Sequence, residues 1–189
     1  MSSAATALPA IKVLVLDFDS TISTPTYLNR VRQWAVADNV KLFNSMSEDE
    51  IMANFGGPER LATLAALLSE IETAGIRLYI ISIGYKAAFV PHLRASGLIR
   101  FFPDDARLFG QDSPILRKLE FNKGRLIAKI MEAEGYQHRD VLFVDDSKDH
   151  IEKATPVCRT LLVESKATVG GMGQMEFDKI REAARLSAR

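Results

Sequence analysis

The 189-residue sequence is poor in the features that most quickly place a protein. Cys158 is its only cysteine, so an internal disulfide is excluded, as is a zinc ribbon or knuckle. Charge of one sign is not in excess. Twenty-four basic residues face 24 acidic ones, which argues against a nucleic-acid binder working by bulk electrostatics. Apolar runs such as Val13-Leu14-Val15-Leu16 fall far below the ~18 residues of a membrane span, so no membrane partner is expected. The opening stretch, Met1 to Ala10, has no basic start, no arginine and no sustained apolar core. It fits neither a secretory signal nor an organelle-targeting segment, and reads as a frayed tail on a cytoplasmic protein. His92, His138 and His150 are scattered with no i,i+4 pair, so a histidine metal site is not expected.

What is there fits a single domain over 11–189. The chain is 47% apolar, and at roughly 150 residues per domain its length supports one core with a small insertion. Ile11 to Leu16 is a β-branched and leucine run suited to a strand buried on both faces of a parallel sheet. The same kind of run recurs at Arg77 to Ile81, Ala106 to Phe109, Val141 to Val144 and Thr160 to Val163. Helical patterns lie between them: Tyr27 to Asp38, Pro58 to about Ala74, Lys86 to Ser96, Asn122 to Glu134 and Lys148 to Ala154. A closing helix is expected over Gln174 to Leu186. Ser47 and Glu50 have capping-box spacing, and Gly75, Gly97 and Gly135 stand where helices should stop. Gly170-Gly171-Met172-Gly173 reads as a mobile connector, since no lysine-serine or lysine-threonine pair follows it. Five strands alternating with helices predict an α/β fold, a Rossmann-like doubly wound parallel sheet.

In such a sheet, ligands bind beyond the carboxyl ends of the strands. The residues delivered there are Asp17 and Asp19 after the first strand, Ser82 after the second, and Asp145 and Asp146 after the fourth. Lys123 opens the helix before the fourth strand. Singly, each has a bland reading as a cap, turn former or solvated residue. Together they converge on one rim. Carboxylates crowded there repel by on the order of 4 kcal/mol per close pair, which a divalent cation relieves. The conjunction predicts a Mg²⁺ site.

Asp17-Phe18-Asp19-Ser20-Thr21 resembles the Asp-x-Asp-x-Thr motif of the haloacid dehalogenase superfamily in its phosphatase form. Ser82, Lys123 and Asp145-Asp146 resemble the three motifs that follow, in order and spacing, so the likeness spans about residues 11 to 165. It implies a Mg²⁺-dependent phosphomonoester hydrolase with Asp17 as nucleophile and Asp19 as acid and base. Thr21, Ser82, the Ile83 backbone and Lys123 would bind the phosphoryl group. The metal would be held by Asp17, the Asp19 carbonyl and the 145/146 pair, Asp146 directly and Asp145 behind it. Asp149 is a further candidate to orient Lys123 or to ligate through water, with a plain helix-face role equally open. The implied substrate is a phosphorylated small molecule or peptide, and the implied state a monomer or weak homodimer.

Phosphoserine phosphatases of this superfamily carry Ser-Gly-Gly where this chain has Ser82-Ile83-Gly84, so substrate identity stays open. About residues 24 to 57 remain for a cap, enough for a small helical lid but not for a substrate-enclosing domain. Trp34 and Phe43 belong to that segment and are expected to pack rather than to touch substrate, and Phe101-Phe102-Pro103 to anchor a loop on the core. Alternatives are a phosphomutase or a non-catalytic phosphate-binding regulatory domain. A two-component receiver domain fits poorly, since Gly110, not an acceptor aspartate, follows the third strand.

Overall fold

A computed structural model describes residues 9–164 and 170–186. The expected frayed tail lies outside these residues except for Pro9 and Ala10. Five strands, β1 (Val13–Leu16), β2 (Arg77–Ile81), β3 (Leu108–Phe109), β4 (Val141–Asp145) and β5 (Arg159–Leu162), form one parallel sheet in the order β3-β2-β1-β4-β5. Successive residues of a strand point to opposite faces. Leu14 and Leu16 therefore enter one core with Leu64, Leu68 and Phe89, while Val13 and Val15 enter another with Leu126, Ile127 and Phe143. Both faces are covered, which is why β1 is apolar throughout instead of alternating. The chain leaves β1 for β2 on one side and β4 lies on the other. That reversal opens a crevice at the carboxyl end of β1.

The helices are α1 (Pro25–Val31), α2 (Asn39–Ser45), α3 (Glu48–Asn54), α4 (Pro58–Thr73), α5 (Lys86–Ala95), α6 (Pro114–Lys118), α7 (Lys123–Glu134), α8 (Lys148–Ala154) and α9 (Gln174–Ala184). Helices α1 to α3 fill the segment between β1 and α4. The expected capping box starts α3: Ser47 Oγ accepts from Glu50 N at 3.3 Å, and Glu50 Oε2 accepts from Ser47 N at 3.0 Å. These three helices are joined to α5 through His92. The Tyr27 and Phe43 rings lie 4.8 and 4.6 Å from its imidazole, and Asn54 Nδ2 donates to its Nε2 at 3.1 Å. His92 Nδ1 donates to Ala88 O at 3.2 Å, which leaves Nε2 as the acceptor.

Several expectations need correction. The helix expected over Tyr27 to Asp38 ends at Val31 and resumes only as a 3-10 turn at Val36–Asp38. Residues 32–35 are exposed, and Trp34, at 40%, is not packed as expected. The third strand is two residues long, because Asp104 caps a 3-10 turn over Asp105–Arg107 by accepting from Ala106 N. Helix α6 was not expected. The glycine segment at 170–173 is docked, not loose: Gly170, Gly171 and Met172 are buried and Met172 N donates to Thr21 O at 3.0 Å. At Gly171, with φ +71°, a Cβ would lie 2.6 Å from Ser23 O, so only glycine lets the segment approach this closely.

Candidate active site

Asp17 leaves β1 with its N–H bonded to Val144 O at 2.9 Å, which fixes it between β1 and β4. The chain then makes a wide helical turn over Phe18–Ile22. Phe18 points into the core against Tyr27, Phe55 and Phe89, so its acidic neighbours are turned to the rim. Ser20 sits in the left-handed region at φ +56°, a conformation that costs a non-glycine residue about 1–2 kcal/mol. Ser23 holds that turn, donating from Oγ to Phe18 O at 3.0 Å.

Lys123, at the start of α7, reaches this rim with a side chain only 1% exposed. Its Nζ donates to Asp17 Oδ1 at 2.5 Å and to Asp145 Oδ2 at 2.7 Å. Asp145 is fully engaged, since Oδ1 accepts from Ser147 N at 2.8 Å and Oδ2 also lies 3.2 Å from His150 Nδ1. Asp146 is half-buried, and its carboxylate lies with those of Asp17 and Asp145 such that one oxygen from each falls within 4.8 Å of the others. Asp19 belongs to a second group. Ser82 Oγ donates to Asp19 Oδ2 at 3.0 Å and accepts from Gly84 N at 2.9 Å. A Cβ on Gly84 would stand 2.7 Å from Asp19 Oδ2, so the glycine that matters here is residue 84. Ile83 is half-buried, with its side chain against the second core.

Two further candidates take no part in these hydrogen bonds. Thr21 Oγ1 is buried with no hydrogen-bond partner among the described residues. Asp149 pairs with Lys153 at 2.6 Å on the surface of α8, while Lys123 is held by Asp17 and Asp145, so the helix-face reading of Asp149 fits. Two contributors escaped sequence reading. His150 was set aside as an isolated histidine yet contacts Asp145. Arg60 is mostly buried and donates to four carbonyls: Thr21 O at 3.1 Å, Ile22 O at 2.9 Å, Phe55 O at 2.8 Å and Met172 O at 3.1 Å. It ties the turn after β1 to the end of α3 and to the glycine segment. A signal existed, for Arg60 continues the stripe Leu64, Leu67, Ile71 on the buried face of α4.

The electrostatics follow from burial. Loss of water pushes the Asp17 carboxyl well above its ordinary range; Lys123 pulls it back, and Asp145 and Asp19 push it further up. Burial raises Asp19 as well, against the Ser82 hydrogen bond and Lys123. Asp145 ends below its ordinary value, because Lys123 and the His150 hydrogen bond outweigh its desolvation. Asp146 is raised by burial and by the charge of Asp145. One ammonium, that of Lys123, stands among the three carboxyl groups of Asp17, Asp145 and Asp146 in this pocket. The pocket's oxygen-only donors could hold a hard divalent cation.

The comparisons with known proteins agree with the architecture. A HAD family hydrolase from Deinococcus radiodurans R1, solved with bound phosphate and sodium, is similar over 95% of this chain and 99% of its own, with 12% identity and a TM-score of 0.56. An L-2-haloacid dehalogenase is similar over 92% of this chain and 100% of its own, at 12% identity and TM-score 0.54. An uncharacterised protein from Corynebacterium glutamicum ATCC 13032 Kitasato is similar over 95% and 99%, at 14% identity and TM-score 0.52. Residues 112–164 match the model of a family described as a protein of unknown function (DUF2608), a stretch that contains Lys123 and Asp145-Asp146. No curated protein matches the sequence. The fold is that of the haloacid dehalogenase-like hydrolases. Among the described residues no helix is long and apolar enough to cross a membrane.

Proposed function

We propose that the protein is a phosphomonoester hydrolase that works through a phosphorylated Asp17 and requires Mg²⁺. The observation that carries this reading is Asp19, a second carboxyl two residues from Asp17 at the same rim, hydrogen-bonded by Ser82 at 3.0 Å and raised above its ordinary value by burial. An alkoxide leaving group needs a proton, and a halide does not. A carboxyl acid beside the nucleophile therefore favours ester cleavage over dehalogenation.

The residues fit the metal. Asp17 and Asp146 would hold it by carboxylate oxygens, with the Asp19 carbonyl, while Asp145, whose oxygens already bind Lys123, Ser147 and His150, supports the site from behind. When bound, Mg²⁺ supplies positive charge that keeps Asp17 ionised and offsets charge on the phosphoryl oxygens.

The chain's own groups do the rest. An Asp17 carboxylate oxygen bonds to phosphorus as the ester P–O bond breaks, and Asp19 gives its proton to the departing oxygen. Asp19, now a carboxylate, takes a proton from water as that water's oxygen attacks phosphorus, and Asp17 is released with inorganic phosphate. Lys123, held at Asp17, neutralises the transferring group, and Ser82 turns its one hydroxyl hydrogen from Asp19 to one of the phosphoryl oxygens. In this reading helices α1 to α3, joined to α5 through His92, form a small lid. The substrate is a phosphorylated small molecule or peptide.

The test is phosphate release from 4-nitrophenyl phosphate with Mg²⁺ or with EDTA. Release that needs the metal and is lost in Asp17→Asn is expected. Turnover retained in that variant, or chloride release from a 2-haloacid with no phosphatase activity, would refute the proposal.

A further inference from the structure

A second cavity, of about 350 Å³, opens beside the site between the loop after β2 and helices α7 and α8. Its walls are Ile83, Glu120, Phe121, Asn122, Arg125, His150 and Lys153. Three of these adjoin the rim: Ile83 follows Ser82 in the chain, Asn122 caps the helix that begins with Lys123, and His150 contacts Asp145. The cavity therefore lies next to the place where the phosphoryl group of the proposed reaction would sit, and its character is distinct. Arg125 and Lys153 bring two cations from helices held in close contact, since a Cβ on Gly124 would lie 2.7 Å from Lys153 O. Their protein partners, Glu120 and Asp149, have side chains 84% and 64% exposed, so those pairs are weak and exchangeable. Glu120 and Phe121 both occupy the left-handed region, at φ +55° and +58°. Two consecutive non-glycine residues there are strained, and the strained turn presents a Phe121 ring that is 39% exposed at the mouth of the cavity.

We infer that this cavity receives the alcohol part of the substrate, and that the substrate is a phosphomonoester whose leaving group carries an apolar ring and a second negative charge. The ring would rest on Phe121 and Ile83, and the second anion would replace Glu120 and Asp149 at Arg125 and Lys153. This inference rests on the phosphatase reading for the first anion, and a binding arm keeps the two separable. Phenyl phosphate and 4-carboxyphenyl phosphate differ only in the para carboxylate, which supplies the second charge. Titrated calorimetrically into the Asp17→Asn protein with Mg²⁺, the carboxylated ester should bind about fivefold to tenfold more tightly, as two partly exposed ion pairs allow. The preference should vanish when Arg125→Gln and Lys153→Gln are added. Phe121→Ala should weaken both esters alike. In the wild type, kcat/KM should show the same preference. Equal affinity for the two esters, or a preference that survives the double glutamine variant, overturns the inference. Preferential binding in a wild type that hydrolyses neither ester would leave the cavity standing and remove the phosphatase reading.

Discussion

Acidification should weaken the fold through His92, by an amount the structure allows to be worked out. The imidazole is 1% exposed, enclosed by Tyr27, Phe43 and Phe55, and burial pushes its pKa down from 6.5 to about 4, with Arg30 adding to the depression. Unfolded, it takes up a proton near 6.5; folded, it resists until about pH 4. Between those values the unfolded chain binds more protons, so stability rises with pH. The contribution is fully present above 6.5, is lost as pH falls toward 4, and is flat below that. The gap between 6.5 and about 4, at about 1.4 kcal/mol per pH unit, corresponds to about 3 kcal/mol. Urea unfolding of the wild type and His92→Gln between pH 7.5 and about 4 isolates this part, because other titrating groups cancel in the difference. The wild type should lose about 3 kcal/mol more than the variant across that window. Parallel curves would refute the placement of a neutral His92 in this interface.

Other consequences can be checked separately. Arg60→Met leaves four carbonyls without their shared donor and should cost about 3–5 kcal/mol, read as a fall in the urea midpoint, with greater protease access near Thr21 and Met172. Lys123→Met leaves Asp17 and Asp145 facing each other in a buried site; a loss of about 3–5 kcal/mol is expected in metal-free buffer by thermal melting. Mg²⁺ should raise the Tm of the wild type, and Asp146→Asn should remove most of that rise. Cys158 is 1% exposed and burial pushes its thiol up to about 12, so it should resist a disulfide exchange reagent in the native protein and react once unfolded.

How much of this was legible in the sequence depends on the range of the interaction. The strand runs and the rim rule brought Asp17, Lys123 and Asp145 together across more than a hundred residues, because in a parallel sheet the residue after a strand has few places to go. Helix boundaries marked by glycine, or by Ser47 and Glu50, were readable because their cause is local. The helix that stops at Val31 was not readable, since its pattern continues while residues 32–35 stay exposed in the fold. The docking of Gly170 to Met172 was hidden as well. It depends on Arg60 and Thr21, which are distant in sequence and show nothing of their meeting in composition. His150 was missed because a lone histidine carries no spacing signal, although its helix position places it on Asp145.

The account turns on a covalent phosphoryl group carried by Asp17. The most direct measurement is mass spectrometry of the protein quenched in acid during turnover of 4-nitrophenyl phosphate with Mg²⁺, followed by peptide mapping. A phosphoryl group on Asp17 that is absent from Asp17→Asn is the predicted result. Sustained phosphate release with Asp17 never modified would contradict the account.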